Sequence, residues 1–384
     1  MAKRKNSHSN TFLPKHITTF LKKIERTHKG LGIPFLIQYI CLMAKVSVLW
    51  IGVKASGKST IIENIRIPKR FMNDIVDVIL YQITKGKLAE YLSYVENKTI
   101  ILRLTELAQL SSYQKNLFLN LIGTIITSKN FDYTLSKEQK IIIKNCDLIV
   151  SAGIQPLTFS KMTIENIEWS QFATDRLLKI LLVNPIREKS IPEAPCVDAD
   201  TLFSKWYPDK LKWKKVDTSK LERLLKRQLT IWRAQEYIKR MIEAFVRLQG
   251  LKTVTQKSVD LLYMLLYPYV HSFNQLNIRI DLASDRQIWG AGLELFSALA
   301  NYFGQKGLAG VTKYELSDEL DVTTRAIEKV LSQIRVLQNE TGFDLIDIQT
   351  IRQGRTQRTY IRLGKNLREF FNSFYHKLIG DKHE

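Results

Sequence analysis

The chain has 384 residues, enough at about 150 residues per domain for two or three domains that bury their cores without disulfides. Its 58 Lys and Arg residues against 37 Asp and Glu residues leave a net charge of +21 at pH 7, while 45% hydrophobic residues exclude a disordered chain. A folded protein with this surplus typically meets a polyanion, so the composition predicts nucleic acid or an acidic membrane surface as partner.

Cysteine and histidine usage excludes two further classes of protein. The three cysteines lie far apart without a CxxC pair, which argues against a disulfide framework and a zinc knuckle, and the six histidines show no metal-ligand spacing. The longest uncharged run, residues 31–44, is too short to span a bilayer, and the N-terminus lacks the apolar core of a signal peptide. We therefore expect a soluble, cytoplasmic protein with no membrane partner.

Residues 1–30 form a strongly basic segment in which Glu25 is the single acid. The basic residues are Lys3, Arg4, Lys5, Lys15, Lys22, Lys23, Arg26 and Lys29. The pattern predicts a basic N-terminal arm running into an amphipathic helix. Two interpretations stay open: the arm lies on phosphates, or it is a solvated tail that aids solubility.

Residues 31–185 alternate short β-type runs with longer helical patterns, as a parallel sheet covered by helices does. The predicted strands are residues 46–51, 75–83, 99–104, 148–151 and 181–183. Ser111 and Ser112 are predicted to cap a helix between the third and the fourth strand. This segment is therefore predicted to be an α/β domain with about five strands.

The sharpest motif is GVKASGKST, a full match to GxxxxGK[ST] between an apolar strand and a predicted helix. In such a phosphate loop, glycines let the backbone N–H groups curl around the β-phosphate at the start of a helix. Lys58 adds a charge toward the β- and γ-phosphates, and Ser59 offers its hydroxyl to Mg²⁺. The alternative is a glycine-rich turn with no ligand. The residues predicted to bind ATP here are Gly52, Ser56, Gly57, Lys58, Ser59 and Thr60.

ATP hydrolysis requires a carboxylate near the metal, usually at the end of an adjacent apolar strand. In residues 99–106, Arg103 or Leu104 stands where the metal-holding acid is expected, and the first acid is Glu106. Glu106 either polarises the attacking water, as a catalytic residue beside Lys58, or caps the next turn. In the second case the protein binds ATP as a switch and hydrolyses it slowly.

Two further residues are candidates for the same site. Ser151, at the end of a predicted strand, is expected to reach the γ-phosphate or its attacking water, with ordinary loop chemistry as the alternative. Arg176 precedes the last predicted strand and is a candidate arginine finger, which stabilises transition-state charge on the nucleotide of a neighbouring subunit. The alternatives for Arg176 are a surface ion pair with Asp175 and a charge that faces DNA.

Prolines at positions 185, 192, 195 and 208 break up the next segment, and residues 186–215 are predicted to be an irregular linker. Residues 216–288 return to helical spacing of apolar side chains, which predicts a separate helical domain.

The last segment, residues 289–384, contains a helix-turn-helix pattern followed by a hairpin, which is a winged helix in outline. Thr323 is predicted to cap its longer helix, whose apolar stripe is Ile327, Val330, Leu331, Ile334 and Leu337. No acid lies between residues 351 and 368. Duplex DNA is the predicted partner, and a protein-interaction module is the alternative. The predicted DNA contacts are Thr323, Arg325, Lys329, Arg335, Arg352, Arg355, Arg358 and Arg362.

This order of parts resembles AAA+ ATPases of the archaeal origin-recognition type and related ATPases of viruses, plasmids and transposons. The resemblance covers most of residues 31–363, with residues 52–60 its one sharp motif. It implies an α/β P-loop NTPase domain, then a helical lid-like domain, then a C-terminal winged helix-turn-helix, working as a homo-oligomer.

The resemblance also implies roles for individual residues. Lys58 and Ser59 would hold the triphosphate and Mg²⁺, and residues around Glu106 would form the Walker B site. Ser151 would be sensor 1, and Arg176 a finger-like arginine. Arg233 or Arg240 would be the second sensor. Arg103 departs from the family's Walker B pattern.

Three functions fit these patterns. The first is an ATP-dependent DNA-binding protein in replication initiation or mobile-element maintenance, whose nucleotide state controls assembly on DNA. The second is a nucleotide-responsive transcription regulator with little turnover. The third is a small-molecule kinase, which leaves the winged helix and the net charge unexplained.

Overall fold

The computed structural model of the chain describes residues 13–53, 56–81, 85–107, 119, 123–124, 126, 128–134, 140–165, 169, 175–182, 197–277, 310–341, 344–353 and 356–371. The described helices are α1 (Lys15–Thr27), α2 (Gly32–Met43), α3 (Lys58–Glu63), α4 (Lys85–Leu92), α5 (Pro156–Glu165), α6 (Ala199–Phe203), α7 (Ser219–Leu225), α8 (Ile231–Leu248), α9 (Gln256–Asn277), α10 (Lys313–Leu320), α11 (Thr324–Thr341) and α12 (Lys365–Glu369), with a 3₁₀-helix at Lys69–Asp74. The described strands are β1 (Val48–Ile51), β2 (Ile75–Leu80), β3 (Val95–Glu96), β4 (Thr99–Leu104), β5 (Phe131–Thr134), β6 (Lys140–Lys144), β7 (Asp147–Ile154), β8 (Leu178–Leu181), β9 (Lys212–Trp213), β10 (Thr253–Val254), β11 (Val311–Thr312), β12 (Ile346–Gln353) and β13 (Thr356–Leu363).

The core of the molecule is an α/β unit with a parallel five-stranded sheet in the order β2-β4-β7-β1-β8. Strands β1 and β8 are buried along their whole length, as strands of a sheet covered on both faces must be. The predicted strand at residues 99–104 is confirmed. The predicted strand at 148–151 is too short, because β7 runs on to Ile154, and the last strand begins earlier than predicted, at Leu178.

Helix α1 confirms the amphipathic helix predicted near the N-terminus. Its Ile17, Phe20, Leu21 and Ile24 are buried, since positions three and four apart share one helix face. The helix packs against α2 and α6, so from Leu13 onward this segment is part of the core and not a projecting arm. The first part of the predicted arm, residues 1–12, lies outside the described residues.

Helices α7, α8 and α9 form a helical layer after the sheet, which confirms the predicted helical character of this region up to Asn277. Helix α8 packs against α2, and α9 packs against β8. The described part of the predicted linker is ordered: it contains α6 and β9, and β9 pairs in parallel with β10. The predicted helix cap at Ser111 and Ser112 lies outside the described residues.

The C-terminal unit, residues 310–371 in its described parts, has two helices joined by a short turn and a separate antiparallel sheet in the order β11-β13-β12. Thr312 and Glu315 form a capping box at the start of α10. The turn between α10 and α11 contains Asp321 in the left-handed conformation, with φ 51°. Among the described residues, no helix is long and apolar enough to cross a membrane.

Candidate functional site

The phosphate-loop motif follows β1 at the carboxyl edge of the parallel sheet, where ligands bind in open α/β folds. Lys58 is only 5% exposed, and its ammonium donates hydrogen bonds to the carbonyls of Gly52 at 2.6 Å and Val53 at 2.9 Å. The lysine is therefore held by the first two residues of its own loop. Ser56 is fully buried, and its hydroxyl has no hydrogen-bond partner among the described residues.

Gly57 is the last residue of this loop before α3 and is the N-cap of that helix. Its φ of +100° lies in the left-handed region, which side chains rarely adopt. A Cβ atom there would also come within 2.9 Å of the Leu31 side chain, which comes from the turn between α1 and α2. The glycine is therefore required both by the backbone and by this close packing. Next along the helix, Ser59 is exposed and Thr60 half-buried.

Ser151 does not lie at the sheet edge. It pairs with Val48 in the sheet, three residues before β1 ends, and at about 3.3 Å per residue this is some 10 Å from the edge. Its hydroxyl is fully buried and donates to the side-chain carbonyl of Gln38 at 3.1 Å. The expectation that Ser151 ends its strand is therefore wrong. The polar residue that follows the end of β7 is Gln155.

Gln38 also accepts a hydrogen bond from the indole of Trp50, so three buried polar side chains, one from α2 and two from the sheet, satisfy one another. This triad joins the helix to two adjacent strands. A buried polar group without a partner is costly, which explains why these residues occur together.

Arg103 has a structural role. Its guanidinium is 5% exposed, forms a bidentate ion pair with Asp77 on β2, and donates to the carbonyls of Ile62 at 3.0 Å and Glu63 at 3.2 Å. These carbonyls lie at the end of α3, where backbone acceptors lack helical partners and a cation is favoured by the helix dipole. Arg103 therefore fastens the helix of the phosphate loop to the sheet.

Glu106 lies two residues beyond the end of β4, at the same edge of the sheet as the phosphate loop, and is half-buried. The preceding backbone runs very close to β7: a Cβ atom on Gly153 would meet the Thr105 carbonyl at 2.5 Å. That close approach needs glycine in β7. Among the described residues of β4 and the two that follow it, Glu106 is the only acid.

Arg176 is half-buried and its guanidinium donates to the carbonyl of Gly123, at 2.6 Å, in the same chain. The carbonyl of Arg176 accepts from the Tyr237 hydroxyl at 2.8 Å, which ties this turn to α8. Asp175 forms its contacts elsewhere, with the Thr230 hydroxyl at 2.7 Å and the Arg233 guanidinium at 3.8 Å. Asp175 therefore pairs with Arg233 of α8. The alternative in which Asp175 pairs with Arg176 is wrong.

The longer helix of the C-terminal unit presents the predicted basic face. Thr323 precedes α11 and accepts a hydrogen bond from the Ala326 amide at 3.3 Å, as expected of a capping residue. Arg325, Lys329 and Arg335 are all exposed. The apolar stripe is confirmed for the members whose side chains are described, namely Ile327, Val330, Leu331 and Ile334.

The hairpin divides its arginines into two groups. Arg352 and Arg358 are exposed, and Arg355 lies outside the described residues. Arg362, by contrast, donates to Asp347 at 2.8 Å, and Arg368 reaches the same carboxylate oxygen at 3.2 Å. Their side chains are only 19% and 15% exposed. Arg362 is therefore engaged within the unit, which the sequence prediction missed because Asp347 lies outside the acid-free stretch.

The comparisons with known proteins find no family model that matches this sequence and no similar curated protein.

Proposed function

We propose that the protein binds ATP with Mg²⁺ at the phosphate loop and duplex DNA at the C-terminal unit, acting in DNA replication initiation or mobile-element maintenance. The observation that carries the nucleotide half is the loop after β1, with its buried Lys58 and the unpartnered Ser56 hydroxyl. A buried ammonium and a buried hydroxyl are both stabilised by additional acceptors or charge, which a polyphosphate provides.

The residues of the loop fit ATP by their chemistry. Lys58 would contact the β- and γ-phosphates, while the exposed Ser59 hydroxyl would hold Mg²⁺. Gly52, Ser56, Gly57 and Thr60 complete the loop. Bound ATP would supply a phosphoanhydride for turnover, and Mg²⁺ a counter-charge for its oxygens. In this proposal Glu106, the acid at the same edge, orients or deprotonates a water, and Arg176 serves a neighbouring subunit of a homo-oligomer.

The DNA half of the proposal follows from the exposed basic side chains of α11 and the hairpin. Arg325, Lys329 and Arg335 on the helix and Arg352 and Arg358 on the hairpin are exposed cations suited to phosphates and base edges. The resemblance in the order of the parts to AAA+ ATPases also supports this proposal, with helices α7–α9 in the place of the lid-like domain. Arg233 and Arg240 of α8 stay the candidates for a second sensor.

A second candidate function is a nucleotide-responsive transcription regulator with little turnover. Arg103 favours it, because this side chain stands where the metal-holding acid is expected and is fully engaged in holding α3. In this form of the proposal ATP is a switch, and Glu106 caps the turn that follows β4.

The nucleotide proposal is tested with a fluorescent ATP analogue and Mg²⁺. We expect Lys58→Ala to weaken binding by roughly ten- to one hundred-fold, since one charge-assisted contact of about 1.5–3 kcal/mol is lost. Lys69→Ala, which removes an exposed lysine elsewhere, is the control and should bind like the wild type. Equal affinity of the Lys58→Ala variant and the wild type would refute the proposal.

Turnover separates the two forms of the proposal. Phosphate release by Glu106→Gln is expected to fall well below the wild-type rate if this carboxylate acts on water. If wild-type release is itself negligible while ATP still changes the mass of the protein–DNA assembly, the switch is the correct form.

A further inference from the structure

The helical region carries a cleft of about 650 Å³ between β9 and helices α7 and α8. Around it lies a segment, residues 205–220, with six lysines and only two acids. Lys210 of this segment and Lys239 of α8 line the cleft together with Trp213, and we call these three residues the lysine face. Both of its lysines are exposed, as are the other five lysines of the segment. The sequence pattern predicts a linker up to residue 215 and a helical domain after it, and neither prediction includes a binding site.

An aromatic ring stands in the wall of this cleft. Trp213 is 40% exposed, although its backbone is fixed by the pairing of β9 with β10. Its indole N–H donates to Glu243 at 3.3 Å, which holds the ring in one orientation. An exposed ring on a fixed backbone suits the stacking of a nucleobase. Trp232, also exposed, differs because the Arg233 guanidinium lies 4.2 Å from its ring centroid.

The loop that leads into the lysine face is held in place. A single guanidinium nitrogen of Arg247 donates to the carbonyls of Tyr207, Pro208 and Asp209 at 3.1, 2.5 and 2.8 Å. The Lys252 ammonium lies 5.7 Å from the centroid of the Tyr207 ring. A surface ordered in this way loses little conformational entropy when a partner binds.

We propose that the lysine face binds single-stranded nucleic acid, with a base stacked on Trp213 and phosphates on the surrounding lysines. Bases of a duplex are already paired and stacked, so they cannot enter the cleft, whereas bases of a single strand can. An acidic peptide is a poorer fit, because its carboxylates would meet Glu222 and Glu243 in the cleft lining. N–H groups on the Watson–Crick edge of an unpaired base, such as N3–H of thymine, can instead donate to those carboxylates.

This surface goes beyond the proposed function, which assigns duplex DNA to the C-terminal unit. It depends neither on the phosphate loop nor on the hairpin. The two proposals are therefore separated by their measurements: nucleotide affinity and duplex affinity test the proposed function, and the effect of Trp213 on single-strand affinity tests the lysine face.

The test is fluorescence anisotropy of a labelled oligothymidylate with the full chain at increasing KCl. We expect Trp213→Ala to bind about ten-fold more weakly and Trp213→Phe to keep most of the affinity, since stacking needs only an aromatic face. Replacing Lys210 and Lys239 by Gln should lower the slope of log affinity against log salt by about 1.4, at roughly 0.7 per phosphate contact.

Matched controls remove the same groups elsewhere. Trp232→Ala and a double variant with Lys69 and Lys98 replaced by Gln are expected to keep the wild-type affinity and slope, because these lysines are exposed but lie outside the lysine face. Melting by circular dichroism verifies that each variant is folded. The proposal is wrong if folded Trp213→Ala binds like the wild type, if both double variants lose the same affinity, or if the loss of affinity is as large for a duplex.

Discussion

The parallel-sheet unit and the C-terminal unit use their cations in different ways. In the sheet unit, Arg103 and Lys179 are 5% and 4% exposed and donate to backbone carbonyls, Arg103 at the end of α3 and Lys179 in the turn between α7 and α8. In the C-terminal unit, Arg325, Arg335 and Arg358 point into solvent. The comparison teaches that a net charge of +21 mixes cations buried within the fold with cations exposed to a partner. Variants of the first group should change stability, and variants of the second should change binding.

The largest effect is expected at Arg103. Arg103→Met leaves Asp77 buried without its counter-charge and the carbonyls at the end of α3 without their donor. Breaking a buried ion pair in this way costs about 3–5 kcal/mol. Urea denaturation measures the loss.

The double variant Arg103→Met, Asp77→Leu is the matched control. It removes both charges, so it should regain a clear part of the lost free energy of unfolding. A double variant no more stable than the single one would show that the ion pair is not the source of the effect.

Lys179 should give a smaller effect of opposite sign. Burial lowers its pKa from 10.5 to about 7, against the opposing charge of Asp175. Between these two pH values the unfolded chain holds a proton that the folded chain has released, so wild-type stability rises with pH across this window. Lys179→Met should therefore be more stable at pH 7, by on the order of 1–3 kcal/mol, with a flatter pH profile.

Thermal melting from pH 6 to pH 10 provides the measurement for Lys179→Met. The gain should shrink as the pH approaches 10. A gain that is constant with pH would assign the effect to packing and not to the proton.

The hairpin arginines sharpen the comparison within one unit. Under the proposed duplex binding, Arg352→Gln and Arg358→Gln should each reduce the salt slope by about 0.9, since each would remove one phosphate contact. Arg362→Gln should leave that slope unchanged and lower the free energy of unfolding by roughly 1 kcal/mol, because Arg362 is bound to Asp347. Anisotropy measures the slope, and urea denaturation measures the stability. A change of slope for Arg362→Gln, with changes of stability alone for the other two variants, would show that the division into two groups is wrong.

The smallest effect is expected at Asp198, which joins α1 to α6. A hydrogen bond from Lys23 lowers its pKa to about 2, and its carboxylate also accepts from the Thr201 amide at 2.9 Å. The stabilisation that the ionised Asp198 gives to the folded state is present above the ordinary pKa of 3.8 and is lost as the pH falls toward 2. Asp198→Asn should cost about 0.5–1 kcal/mol at pH 6 and nothing near pH 2.

Local apolar patterns predicted several elements of the fold. The strand at residues 99–104 follows from its short apolar run, and the buried face of α1 and the apolar stripe of α11 follow from helical spacing. The ends of strands did not follow from these patterns. Strand β7 continues past Ser151 because its pairing with β1 extends to Ile154.

Pairwise contacts between distant residues escaped the sequence reasoning. Arg103 is 26 positions from Asp77, and Ser151 is 113 positions from Gln38. The sequence held one signal of the Arg103–Asp77 pair. Asp77 lies inside the apolar strand β2 and Arg103 inside β4, and charged residues are rarely buried without a partner. Sheet order, which no local pattern fixes, decides that these two strands are neighbours.

The contact between Leu31 and Gly57 has a practical consequence for handling the protein. Because the turn after α1 presses on the glycine of the phosphate loop, a protease that cuts near residue 30 would loosen a loop that lies far along the chain. A proteolytic fragment beginning after α1 is therefore a poor reagent for measuring nucleotide affinity. Conversely, if the loop binds ATP as proposed, the nucleotide should protect the early part of the chain from digestion, and limited proteolysis would then report an occupied loop.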